Sequence, residues 1–189
     1  MVTTARETPL EAELRRLAGS VPDPELPVLN LEELGVLRAV HARGPGSVEV
    51  ELSPTYTGCP AIETMSADIE RVLHEHGVPD VTVRPVLTPA WSTDDITPEG
   101  RRKLREFGIA PPRTTREPAG PVTVALGPTR HTASDGPSPS PAAPEQEPLA
   151  CPHCGSTETE LLSRFSSTAC KALRRCLACR EPFDHFKEL

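Results

Sequence analysis

The sequence predicts an α+β protein: a small two-layer α/β unit on a three-stranded sheet, followed by a compact cysteine-bearing β unit. Three observations predict it. Helical and strand periodicities alternate through the first 110 residues. Ten of the 23 prolines then crowd residues 111–150. Beyond them four cysteines stand in two C-x2-C pairs. The expected organisation is an α/β domain over 1–110, a Pro-rich linker over 111–149 and a cysteine-bearing unit over 150–189.

The elements follow in order. Thr8, Pro9 and Glu11 predict a capping-box start with Pro at the first helical position. Leu10, Leu14 and Leu17 share one face of that helix, and Gly19 ends it. "VPDPELPVLN" holds too much proline for regular structure and is expected as a loop. Asn30 and Glu33 predict a second, short capped turn. "GVLRAVHA" and "SVEVELS" are expected strands joined by the hairpin signal "RGPG". Pro60 to His76 reads as a helix with Ile62, Met65, Ile69, Val72 and Leu73 inward and Gly77 closing it. "DVTVRPV" is a third strand, and Thr97, Pro98 and Glu99 start a last helix that Gly108 stops. A hairpin followed by strand–helix–strand gives two layers.

Within the linker, "VTVAL" at 122–126 reads as a short strand. The run "SDGPSPSPAAPEQEP" has no apolar period, so residues 128–149 are expected to be a flexible tether. About 20 such residues reach roughly 25 Å, so the two parts are able to meet.

Charge and composition exclude several function classes. A net charge of −7 argues against a general nucleic-acid binder. Aromatics at 3% argue against a base-stacking platform. No stretch approaches the length of about 18 apolar residues that crosses a membrane. The start "MVTTARETPLEAE" is acidic without an apolar run, so a cytoplasmic protein is the expectation. In a reducing compartment paired cysteines indicate metal more often than disulfide.

Cys151, Cys154, Cys176 and Cys179 form the C-x2-C…C-x2-C array, with 21 residues between the pairs. Two such knuckles on a β-hairpin supply the tetrahedron of a structural zinc ribbon, with an iron site or cluster as the competing reading. Gly155 suits the first tight turn. A unit this small has too little core to hold itself, and a structural zinc contributes on the order of 10 kcal/mol. Leu161, Leu162, Phe165, Leu173, Phe183 and Phe186 are its expected core. Six Lys or Arg against five Asp or Glu over 151–189 make no basic patch. His153 and His185 are surplus to a four-thiolate shell and are expected on the surface. Cys170 is the odd thiol: either a small buried core residue, or a thiol activated by Lys171, Arg174 and Arg175.

Cys59, in "SPTYTGCPAIETM", is the other cysteine outside the array. With Pro60 as the first helical residue it is the expected N-cap, facing free N–H groups that favour the thiolate. Such a thiolate binds a metal, accepts a sulfur or attacks an electrophile; the alternative is an inert buried cysteine. His41, His74 and His76 show no partner pattern that supports a hydrolase. Asp23 and Glu25 stand in the Pro-stiffened loop "DPELPV", as ligands or as a solvated turn. Asp94 and Asp95 most simply lead into the helix at Thr97.

Together these motifs carry a resemblance. "DPELPVLNLEELGVLR" followed by "SPTYTGCPAIETM" resembles the small α/β family of iron–sulfur-cluster assembly factors, which pairs a D-P-E loop with a G-C-P cysteine. "AWSTDDITPEGRRKLREFGIAPP" and "CPHCGSTETELLSRFSSTACKALRRCLACREPFDHFK" resemble the PaaD (also called PaaJ) subunits of the phenylacetyl-CoA epoxidase system. The similar segments cover about residues 20–112 and 151–187; the long Pro-rich tether and the tail "HFKEL" depart from the pattern. The resemblance implies an accessory subunit of aerobic phenylacetate breakdown, not an enzyme in itself, whose partners are the oxygenase and reductase components. There the di-iron centre belongs to another subunit, and a separate reductase carries flavin and an iron–sulfur cluster. Accordingly, this chain has neither the Glu-x-x-His pairs of a di-iron bundle nor a Gly-rich dinucleotide loop. The resemblance assigns Asp23, Glu25 and Cys59 to an assembly site for transient iron or an iron–sulfur cluster. It assigns Cys151, Cys154, Cys176 and Cys179 to a structural zinc ion.

Overall fold

A computed structural model describes residues 8–56, 58–113 and 149–188. The expected strand at 122–126 and the tether before Leu149 lie outside them.

Capping chemistry sets the first two helices. Thr8 opens α1 (Pro9–Gly19): its hydroxyl accepts the Glu11 N–H at 3.2 Å, and the Glu11 carboxylate accepts the Thr8 N–H at 2.9 Å. The helix buries Leu14, Leu17 and Ala18, while Leu10, expected on the same face, is exposed in the first turn. Asn30 and Glu33 repeat the box at α2 (Leu31–Leu34), with bonds of 2.8 and 3.1 Å. Gly35 closes α2 at φ +75 rather than opening the first strand. A Cβ there would lie 2.2 Å from the Asp95 carbonyl oxygen, so the turn admits only glycine.

Strand β1 (Leu37–Gly44) pairs antiparallel with β2 (Ser47–Leu52). Helix α3 (Ala61–Glu75) then carries the chain to β3 (Asp80–Pro85), which lies parallel to β2, giving the order β1-β2-β3. Ala61, Met65, Ile69 and Leu73 fall every four residues on one buried face of α3. A 3₁₀ turn (Thr93–Asp95) and α4 (Pro98–Glu106) follow, with Thr97 capping the Gly100 N–H at 3.0 Å. Asp95 does more than lead into that helix: it binds Arg38 at 2.8 Å and the Ser92 N–H at 2.9 Å.

The second sheet ties the two parts together. β4 (Ile109–Ala110) leaves the first layer and pairs parallel with β7 (Pro182–Phe186). β6 (Lys171–Cys176) and β5 (Thr159–Ser163) complete the order β4-β7-β6-β5. Trp91 and Phe186 meet across the seam with ring centroids 6.0 Å apart, and the Trp91 indole N–H donates to the Leu34 carbonyl at 3.0 Å. Phe186 is 0% exposed and belongs to the same apolar core as α1, α3 and the first sheet.

That docking corrects the expected ribbon core. Leu161, Leu162 and Phe165 are exposed, whereas Phe183 and Phe186 are buried. A three-stranded ribbon is too thin to enclose six apolar side chains. It turns one face toward the N-terminal layer and leaves β5 outward. His185, expected on the surface, is buried with its Nε2 3.7 Å from Glu188, while His153 is exposed. Among the described residues no helix is long and apolar enough to cross a membrane.

Candidate functional site

Two thiol-bearing sites emerge, one on the ribbon and one beneath it. On the ribbon, the sulfurs of Cys151, Cys154, Cys176 and Cys179 all lie within 4.8 Å of one another. The Cys151–Cys179 and Cys154–Cys176 sulfurs are 3.8 and 3.5 Å apart. A tetrahedron with metal–sulfur bonds of about 2.3 Å has edges of about 3.8 Å, so the donor set fits a four-coordinate thiophilic ion. The knuckles repeat one another in backbone form. In the first, Gly155 sits at φ +76 and its N–H returns to the Cys151 carbonyl at 2.9 Å; in the second, Arg180 sits at φ 71 and returns to the Cys176 carbonyl at 3.1 Å. Arg180 occupies a left-handed position that ordinarily favours glycine, which the sequence alone did not signal. The Cys179 N–H points at the Cys176 sulfur from 3.5 Å and leads the groups that pull that thiol down to about 6.

The second site is a small, partly open cavity between the N-terminal layer and the ribbon. Asp23, Glu25 and Cys59 line it together, although they come from two separate loops. The first loop is held by a bridge between Pro22 and Asn30 and by the Asp23 N–H on the Leu29 carbonyl at 2.9 Å. Asp23, 5% exposed, folds its own loop: Oδ1 accepts the N–H groups of Glu25 at 2.9 Å and Leu26 at 2.7 Å. These two bonds favour its charged form, but burial outweighs them and pushes its carboxyl above the ordinary range. Glu25, half-buried, is also raised, first by burial and then by Asp23.

Cys59 departs from the expected geometry. The helix N-cap is Pro60, one residue later, and its side chain makes no capping bond. Cys59 is 9% exposed, and burial raises its thiol despite the Ala61 N–H and the Tyr56 hydroxyl directed at the sulfur. At this sulfur, loss of water outweighs the helix end. Tyr56, overlooked in the sequence although it stands three residues before Cys59, is itself pushed up to about 12, first by burial and then by Cys59. Among the described residues no histidine lines the cavity.

Cys170, from the loop before β6, lines the same cavity at 3% exposure. The cations expected to activate it are committed elsewhere: Lys171 to Asp184 at 3.1 Å and Arg175 to Glu160. Burial therefore raises this thiol as well.

Two family models match the chain, one over each part. The family model "PaaD zinc beta ribbon domain" matches residues 135–187, and "Iron-sulfur cluster assembly protein" matches residues 11–86. The D component of a putative 1,2-phenylacetyl-CoA epoxidase, from Escherichia coli K12, is 43% identical over 175 residues, 93% of this chain and 91% of that protein. The chain belongs to the PaaD family. Its first half is also 30% identical over 95 residues to an Fe-S protein maturation auxiliary factor of Porphyromonas gingivalis, half of this chain and 90% of the relative. A crystal structure of a DUF59 domain of unknown function from Bacillus anthracis aligns with half of the chain and 90% of its own, at 25% identity and a TM-score of 0.46. The PaaD ribbon thus coincides with the four-cysteine group, and the assembly-type region contains Asp23, Glu25 and Cys59.

Proposed function

We propose that this chain is a non-catalytic accessory subunit of a phenylacetyl-CoA epoxidase system, working in the cytoplasm. It hands iron, or an iron–sulfur cluster, to the oxygenase or reductase components. The observation that carries this reading is the convergence of Asp23, Glu25 and Cys59 on one small cavity. Asp23 and Cys59 are buried and Glu25 half-buried, burial raises all three groups, and a metal cation bound beside them favours their charged forms. The four-cysteine site holds zinc as a structural ion that completes the ribbon. Names of relatives support the assignment: one is an epoxidase subunit and another an Fe-S maturation factor.

The burial of Cys59 favours a second reading, a docking subunit in which the thiol is inert. Cys59→Ser separates the two. The substitution is nearly isosteric, so the fold and the zinc content stay unchanged. Iron loading of the co-produced epoxidase components, measured by elemental analysis, is expected to fall roughly tenfold if a direct ligand is lost. Full loading by the variant contradicts carriage and leaves the docking role.

A further inference from the structure

β5 is the outer strand of the second sheet. Among the described residues β6 is its only partner strand, so the N–H and C=O groups along its other side meet no strand. Its register against β6 slips between Leu161 and Ser163, and that slip supplies no partner for the outer side. Such an edge is a template for a further strand unless lysine or proline guards it, and Thr159–Ser163 contains neither. It also carries apolar surface: Leu161 and Leu162 are 49% and 46% exposed, and Phe165 just beyond is 64% exposed.

The charges beside the strand select its occupant. Glu158 and Arg164 flank it, both are exposed, and neither forms an ion pair among the described residues. Six residues of extended chain hold them about 20 Å apart, too far to meet one another. The other acid, Glu160, is already bound to Arg175 of its own sheet. When a copy of this strand is laid antiparallel beside it with Leu161 on the two-fold axis, Glu158 falls opposite Arg164 and Thr159 opposite Ser163. Glu160 then falls opposite Leu162, and Leu161 opposite itself. Opposite charges face one another at both ends, no like charges meet, and leucines close over the axis. Two copies of a chain of net charge −7 repel in general, so the attraction has to be local, and this match supplies it.

We propose that β5 pairs antiparallel with β5 of a second copy of this chain, about a two-fold axis at Leu161, and joins the two ribbon sheets into one. The pairing is independent of what the chain carries at Cys59.

The test is the oligomeric state of the full chain, its knuckles filled with zinc, followed by sedimentation over a range of concentrations. A reversible dimer is expected. Leu161→Asp sets two carboxylates across the axis and is expected to leave only monomer. Arg164→Glu and Glu158→Arg each bring like charges face to face twice per dimer and are expected to weaken it about tenfold or more, whereas the two substitutions together restore it. All three side chains are exposed, so zinc content and Trp91 fluorescence are expected to match those of the unaltered chain. A chain that stays monomeric at every concentration overturns the proposal, as does a dimer that none of these substitutions weakens. Weakening by both single charge reversals without rescue in the double variant overturns it too. So does protection of the β5 amides from hydrogen exchange only after an epoxidase component is added, which would assign the edge to that component. Should Leu161→Asp fail to fold, the set of charge reversals decides.

Discussion

Removing the metal from the four-cysteine knuckles is expected to melt β5–β7 and to expose the seam beneath them. The ribbon's own apolar cluster is small: Ala110, Leu149, Phe183 and the cysteines Cys151 and Cys176. A structural zinc contributes on the order of 10 kcal/mol, more than so small a cluster supplies. Without an ion, the four knuckle sulfurs, all within 4.8 Å of one another, lose the cation that draws their thiolates together. Trp91 is the sole tryptophan, buried against Phe186, so its fluorescence reports the event directly. Chelation, or Cys176→Ser, is expected to shift its emission to longer wavelength and to lower the melting temperature. An unchanged Trp91 spectrum after complete metal removal would show that the ribbon holds itself without the ion.

Phe186→Ala is expected to separate docking from metal binding. The side chain is fully buried in the core of the N-terminal layer, whereas the knuckle cysteines belong to a different cluster. Emptying such a site costs about 3–5 kcal/mol. Phe186 also lines the cavity that holds Cys59 and Cys170, so its loss widens that cavity. The variant should keep its ribbon metal while its stability in urea falls by that amount and Trp91 becomes water-accessible. Stability within about 1 kcal/mol of the parent would mean that the seam contributes little, since buried truncations of this kind exceed that figure.

Much of the fold was legible because local chemistry specified it. Thr8 with Glu11, Asn30 with Glu33 and Thr97 before Pro98 each marked a helix start that the structure keeps. The alternation in "SVEVEL" placed Val48, Val50 and Leu52 on the buried face of β2. What stayed hidden depended on contacts distant in sequence. β4 is two residues long and exists through its pairing with β7, some 75 residues away, so no local period announced it. Leu161, Leu162 and Phe165 carried an apolar pattern without saying which face would meet the other layer.

The candidate site divides in the same way. The motifs named Asp23, Glu25 and Cys59, and the fold places all three on one cavity. Sequence misjudged the state of Cys59, because proximity to a helix end is visible locally whereas burial is set by Met65, Leu34 and the ribbon packed around it. Cys170 stood out as an unpaired thiol beside Lys171. That the same lysine would turn to Asp184, and that Cys170 would line the cavity of Cys59, required the docked ribbon.

The central claim is that this chain holds iron at Cys59 in addition to the ion at its knuckles. Elemental analysis of the native chain purified without oxygen tests it most directly. The account predicts zinc retained by the knuckles together with iron that disappears in Cys59→Ser. Zinc alone in the native chain, with nothing further lost in the variant, would contradict it.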